Sequence, residues 1–104
     1  MADILTLGPP ERDVVHRLAA RYIWWKTPDE ALQYPRRVAA QVMNIGDYDD
    51  VQGLVAAVGD DFLRHVLRAA EAGEFDARSW AYWHYRLALA EPGAVPPLPR
   101  RRVA

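Results

Sequence analysis

Residues able to do chemistry are few in this chain and poorly spaced to cooperate. His16, His65 and His84 fall on three separate predicted helices, with neither H-x-x-x-H nor H-E-x-x-H spacing, so no two imidazoles share one helix face as a zinc site of that kind needs. Cysteine is absent, which removes thiolate nucleophiles, disulfides and cysteine metal sites. No G-x-x-x-x-G-K-[ST], G-x-G-x-x-G or G-x-S-x-G occurs. Asp47, Asp49 and Asp50 hint at a cation loop, but no Glu follows at the distance an alternate-Asp calcium loop requires. Asp47 and Asp50 read better as first-turn residues that complement a helix dipole. The expectation is a protein without catalysis, resident metal or cofactor.

The chemistry the chain does concentrate is that of binding. All four tryptophans and four of the five tyrosines gather at Tyr22-Ile23-Trp24-Trp25, at Tyr34, and at Trp80-Ala81-Tyr82-Trp83-His84-Tyr85. One small core has room for only part of this bulk, so some of it marks a surface that another molecule covers. Trp24 and Trp25 diverge by about 100° on a helix, or point oppositely if extended, so one can enter the core and the other cannot. Tyr34 precedes Arg36 and Arg37, a combination suited to phosphate recognition and equally to an ordinary exposed helix start. In the last aromatic block Trp80, Trp83 and Leu87 form a core stripe, leaving Tyr82, His84 and Tyr85 for a rim. The residues expected to bind a partner are therefore Trp24, Trp25, Tyr34, Arg36, Arg37, Tyr82, His84 and Tyr85.

Helices must position these side chains. Val14, Val15, Leu18 and Tyr22 make one stripe of a helix from Glu11 to Trp25, preceded by Pro9 and Pro10. Thr27-Pro28-Asp29-Glu30 is a capping box with proline at the first helical position, and Pro35 limits that helix to a short piece. A helix beginning at Pro35 carries Val38, Val42 and Ile45 to Gly46, a natural residue for a helix end. Val51, Leu54, Val55 and Val58 follow Asp47, and Gly59 stops that unit; Phe62, Leu63, Val66 and Leu67 follow Asp60. Phe75, Asp76 and Trp80 fit a hydrophobic staple that opens a last helix running to about Ala90.

The fold class is thus all-α: a single compact domain of five or six short helices over residues 10–91. A flexible N-terminus (1–9) precedes it and a disordered Pro/Arg-rich tail (92–104) follows. The expected core is Val14, Leu18, Val38, Val42, Leu54, Val55, Val58, Phe62, Val66, Leu67, Trp80, Trp83 and Leu87.

Charge narrows the partners. The net charge of 104 residues is −1, and Arg100–Arg102 supply three positive charges, so the rest of the chain is acidic. The Asp47–Asp61 stretch holds five Asp and no Lys or Arg. Such a body is ill suited to phosphate neutralisation, so nucleic acid is disfavoured as a partner. No membrane span and no signal peptide are read, which points to the cytoplasm.

Taken as ordered blocks, Tyr22-Ile23-Trp24-Trp25-Lys26-Thr27-Pro28-Asp29-Glu30-Ala31-Leu32, then Arg37-Val38-Ala39-Ala40-Gln41-Val42-Met43-Asn44-Ile45-Gly46, then Arg78-Ser79-Trp80-Ala81-Tyr82-Trp83-His84-Tyr85-Arg86-Leu87, the chain resembles a family of small, largely uncharacterised bacterial proteins. Their pattern is roughly Y-I-W-W-x-[ST]-P-x-E-A-L…R-V-x-A-Q-V-M-N-x-G…R-S-W-x-[FY]-W-H, and it covers about residues 20–90 here. Members are often encoded beside abortive-infection, nucleotidyltransferase-type toxins. The resemblance implies an antitoxin-like protein that binds and restrains such a toxin through exposed aromatics. The alternative is a helix-turn-helix DNA-binding regulator built around Gly46 and Gly59; a homodimer is left open. For one surface to hold both aromatic blocks, Trp80 or Trp83 must pack against Tyr22 or Trp24.

Overall fold

The computed structural model describes residues 7–101. They form five helices and, among the described residues, no strand: α1 (Pro9–Tyr22), α2 (Pro28–Leu32), α3 (Pro35–Ile45), α4 (Tyr48–Arg68) and α5 (Ala77–Arg86). Helix α3 packs on α1, α2, α4 and α5, and is the hub of the fold. Its core face carries Val38, Ala39, Val42 and Met43, which pack with Val15 and Leu18 of α1, Leu54, Phe62, Leu63 and Val66 of α4, and Trp80 and Trp83 of α5. Val14, Val55 and Val58, expected in that core, are only partly buried against it, at the margins of their helix stripes.

Local signals in the chain set the helix ends. The Thr27 hydroxyl accepts from the Glu30 N–H (3.2 Å) while the Glu30 carboxylate accepts from the Thr27 N–H (2.9 Å), so the capping box is complete. The Asp47 carboxylate accepts from the Asp50 N–H at 2.9 Å, and the Asp76 carboxylate from the Ser79 N–H at 2.8 Å. Phe75 and Trp80 then stack with ring centroids 5.6 Å apart, closing the staple. Gly59 sits at φ 81, ψ 165 and breaks α4 into two helical pieces, as expected. That region of backbone is essentially reserved for glycine. Gly46 is required for a different reason than its helix-ending role suggested. Its φ is an ordinary −67, but a Cβ there meets the Val42 carbonyl oxygen at 2.5 Å.

Three boundaries depart from the sequence reading. Helix α1 includes Pro9 and Pro10, because first-turn N–H groups have no intrahelical partner to lose; residues 1–6 of the expected flexible N-terminus lie outside the described residues. Helix α1 also stops at Tyr22, not Trp25. Helix α5 stops at Arg86, four residues short of Ala90, where Ala88 turns into the left-handed region at φ 59.

The described part of the tail is not free. The Trp80 indole N–H donates to the Pro96 carbonyl at 2.8 Å, and Val95 and Leu98 pack against the core. Residues 102–104 lie outside the described residues.

Candidate partner-binding surface

The connection between α1 and α2 creates the first aromatic surface. Tyr22 and Ile23 are both buried and fill the space below. The Lys26 N–H closes a tight turn onto the Ile23 carbonyl at 3.2 Å, and Pro28 holds Thr27 extended. Trp24 and Trp25 are caught in that turn and both point outward, 78% and 54% exposed. The expectation that one of them enters the core is therefore wrong: Ile23 takes the place. The two indoles meet edge to face, with centroids 5.4 Å apart and planes at 87°.

Tyr34 stands beside them. It precedes Pro35, which forces it out of helical geometry (φ −128, ψ 66), and it is 50% exposed. The Lys26 ammonium lies 5.5 Å from its ring centroid and the Arg37 guanidinium 5.3 Å. Trp25, Lys26, Tyr34 and Arg37, over a floor of Ile23 and Val38, line a cleft of about 130 Å³. A second cleft of about 190 Å³ shares Trp25 and Arg37 and reaches Gln41 and Glu74. This corner thus brings together Trp24, Trp25, Tyr34 and Arg37, as expected, and adds Lys26, which the sequence reading did not single out although it directly follows the tryptophan pair.

Arg36 does not join them. Its guanidinium forms paired hydrogen bonds to Glu74, Nη1–Oε1 at 2.7 Å and Nη2–Oε2 at 3.0 Å, with only 12% of the side chain exposed. Burial pushes the Glu74 carboxyl up. The Arg36 hydrogen bonds and the Glu71 N–H outweigh it and hold the group below the usual carboxylate range. Arg36 is a clamp between α3 and the α4–α5 loop. Arg37, one residue on, faces solvent and reaches Glu71 at 3.5 Å.

The second aromatic block behaves differently. Trp80 and Trp83 are buried; Tyr82 and Tyr85 are exposed, as expected. His84 is 5% exposed and so cannot meet a partner. Its Nδ1 lies 2.7 Å from the Trp80 carbonyl, an oxygen that only accepts, so Nδ1 carries the proton. The expected rim position of His84, between the two stripes of α5, is therefore not where it lies. Its ring instead lies against Trp80, one turn back on the same helix, with centroids 4.3 Å apart.

Tyr82 borders a larger groove, about 380 Å³, at the junction of α3, α4 and α5. Trp83 and Met43 line it, and the indole N–H of Trp83 donates to the Met43 carbonyl at 2.9 Å. Asn44 holds the junction: its side-chain oxygen accepts from the Asp76 N–H (3.0 Å) and its carbonyl from the Ser79 hydroxyl (3.1 Å). Tyr48 lies across the groove and is 76% exposed. Tyr48 is not among the residues expected from the sequence to bind. Tyr48 prolongs the Val51–Val55 stripe by one turn, and there the stripe runs past the core.

The two blocks line different clefts. Trp80 packs at a steep ring angle on Phe75 and His84, and Trp24 edge to face on Trp25, in place of the expected ring pairing between blocks. The first cleft lies along Arg37 and Val38 and the groove along Met43 and Asn44, with no lining residue in common. Arg37 and Asn44 are separated by about 10 Å of rise along α3.

The acidic stretch is engaged locally. The Tyr22 hydroxyl donates to Asp50 (2.6 Å) and accepts from the Asp47 N–H (3.1 Å), and Arg21 bridges both carboxylates at 3.0 Å. Burial, then the bond to Asp50, raises the Tyr22 hydroxyl above its ordinary pKa. His16 pairs with Asp29 at 3.0 Å on the surface. Among the described residues no three His, Cys, Asp or Glu cluster as metal ligands, and no helix is long and apolar enough to cross a membrane. Compared with known protein families, with curated proteins and with solved structures, the chain finds no match in any of the three.

Proposed function

We propose that this chain is a non-catalytic interaction protein that binds a protein partner through the corner formed by Trp24, Trp25, Tyr34, Lys26 and Arg37. One observation carries the reading: the Trp25 indole and the Tyr34 phenol, each at least half exposed, line a cleft flanked by two cations, and the exposed Trp24 indole stands edge to face on Trp25. Aromatic area left in water adds nothing to folding, and rigid aromatics beside Arg are the side chains from which interfaces draw most of their energy. The Tyr48–Tyr82 groove is a second surface on the same body.

The family resemblance supplies the first partner to try, a nucleotidyltransferase-type toxin of the kind encoded beside members of that family, which a rigid aromatic patch can cap without chemistry of its own. Co-expression of the two chains tests this. The expected result is copurification and loss of toxicity, with Trp25→Ala and Tyr34→Ala each weakening the complex by about 2 kcal/mol while the free protein keeps its helical signal. Failure of the two chains to copurify, combined with unchanged toxicity, removes the antitoxin-like reading. Tight, salt-sensitive binding to the promoter of its own operon replaces it with the DNA-binding regulator.

A further inference from the structure

The segment after α5 shows what kind of ligand the α5 face accepts. Pro96, Pro97 and Pro99 fix their own φ near −65° and push the residues before them extended, so Val95–Pro99 is set in polyproline II geometry by its sequence. That helix repeats every three residues. Val95 and Leu98 therefore share an edge, and these two side chains pack against the core. Between them the Pro96 carbonyl accepts the Trp80 indole N–H at 2.8 Å. Trp80 itself stands in an aromatic row, 5.6 Å from Phe75 and 4.3 Å from His84 between ring centroids. Paired apolar contacts three residues apart, with an indole N–H on a carbonyl between them, are the terms by which aromatic-lined grooves hold proline-rich segments.

We infer that the Trp80 face of α5 is a polyproline-binding groove, occupied here by the chain's own Val95–Pro99, and that it takes the same kind of segment from another chain. The resident segment is tethered, not fused into an element. No helix or strand includes residues 94–101, and the connection from α5 holds Ala88 at φ 59, a strained conformation for a residue with a Cβ, and Gly93 at φ 80. The Ala88 turn belongs to the end of α5, where the Leu89 N–H bonds the His84 carbonyl at 2.8 Å and the Ala88 N–H the Tyr85 carbonyl at 3.1 Å, so the helix is closed before the segment begins. A short tether gives an effective concentration of about millimolar, so an outside ligand competes at that level or when the clasp is weakened.

The test follows the Trp80 indole N–H by nitrogen-15 NMR on the full chain, with the resonance assigned through Trp80→Phe. Leu98→Asp should open the clasp, shifting this resonance and speeding its exchange with water. A synthetic peptide copying residues 94–101, added at about millimolar concentration, should restore the original position; the same peptide with Pro96, Pro97 and Pro99 replaced by Ala should not. An unmoved resonance in Leu98→Asp, no restoration by the proline peptide, or equal restoration by the alanine peptide each overturns the inference. Should Leu98→Asp fail to fold by circular dichroism, the unaltered chain is titrated with the nitroxide-labelled proline peptide. Broadening of the Trp80 resonance then supports exchange at the groove, and unchanged line width overturns it.

Discussion

Arg36 and Glu74, 38 residues apart in the chain, meet side by side in two hydrogen bonds of 2.7 and 3.0 Å. The pair fixes the α4–α5 loop to the start of α3. It also separates two arginines that stand next to each other in sequence, one committed to the fold and one facing solvent.

Arg36→Ala should destabilise the domain by about 2 kcal/mol, because it leaves the partly buried Glu74 carboxylate without its partner. Arg37→Ala should stay within about 0.5 kcal/mol, because its contact with Glu71 is between two exposed, solvent-screened charges. Urea denaturation of both variants checks the contrast; equal effects contradict the division of roles.

The same pair sets an acid limb. Glu74 titrates below its ordinary value in the folded state, so the unfolded chain takes up the proton first as pH falls. Its stabilisation is complete above the ordinary carboxylate pKa and is lost as pH drops through the lowered folded value. Glu74→Gln should therefore be less stable at neutral pH and show a shallower loss of stability in acid, measured as denaturation midpoint against pH.

Trp83→Ala should cost about 3–5 kcal/mol, enough to unfold a domain of this size. Trp83 is 1% exposed and its indole bonds the Met43 carbonyl. Trp83→Phe keeps most of the packing but leaves that carbonyl unpaired, and should cost about 1–3 kcal/mol. Tyr82→Ala, one position away and exposed, should change stability little. Thermal or chemical unfolding of the three variants gives the order; a Trp83→Ala cost near that of Tyr82→Ala contradicts the burial.

Gly59→Ala tests backbone strain apart from packing. No atom lies within 4 Å of a Cβ built there, so nothing clashes, yet φ 81 with ψ 165 is barred to other residues. The expected loss is about 1–3 kcal/mol. Gly53→Ala, also without a neighbour within 4 Å but inside regular helix, should be neutral or stabilising by about 0.5–1 kcal/mol. Comparing the two melting temperatures isolates the conformational term.

Much of the architecture was legible in the sequence because its signals act within a few residues. Thr27 with Glu30, Asp47 with Asp50, and Phe75 with Trp80 each close over three to five positions, so caps and staple follow from the chain alone. The all-α class and most of the core follow from apolar spacing for the same reason. The exposure of Trp25, Tyr34, Arg37, Tyr82 and Tyr85 was also readable, as excess bulk and charge that one small core cannot hold.

Tertiary structure decided what depends on which faces meet. Ile23, not an indole, takes the core position at the end of α1, because the turn to Pro28 throws residues 24 and 25 outward together. Glu74 claims Arg36 from 38 positions away, the Trp80 carbonyl and ring hold a buried His84, and Trp80 claims Pro96 from a stretch that composition marks as unstructured. Whether Tyr34 and Tyr82 share a surface turned on how α5 lies against α3, and no local pattern encodes that. Periodicity states which side of a helix is apolar; only the assembled packing states which neighbour covers it, and which aromatics are left for another molecule.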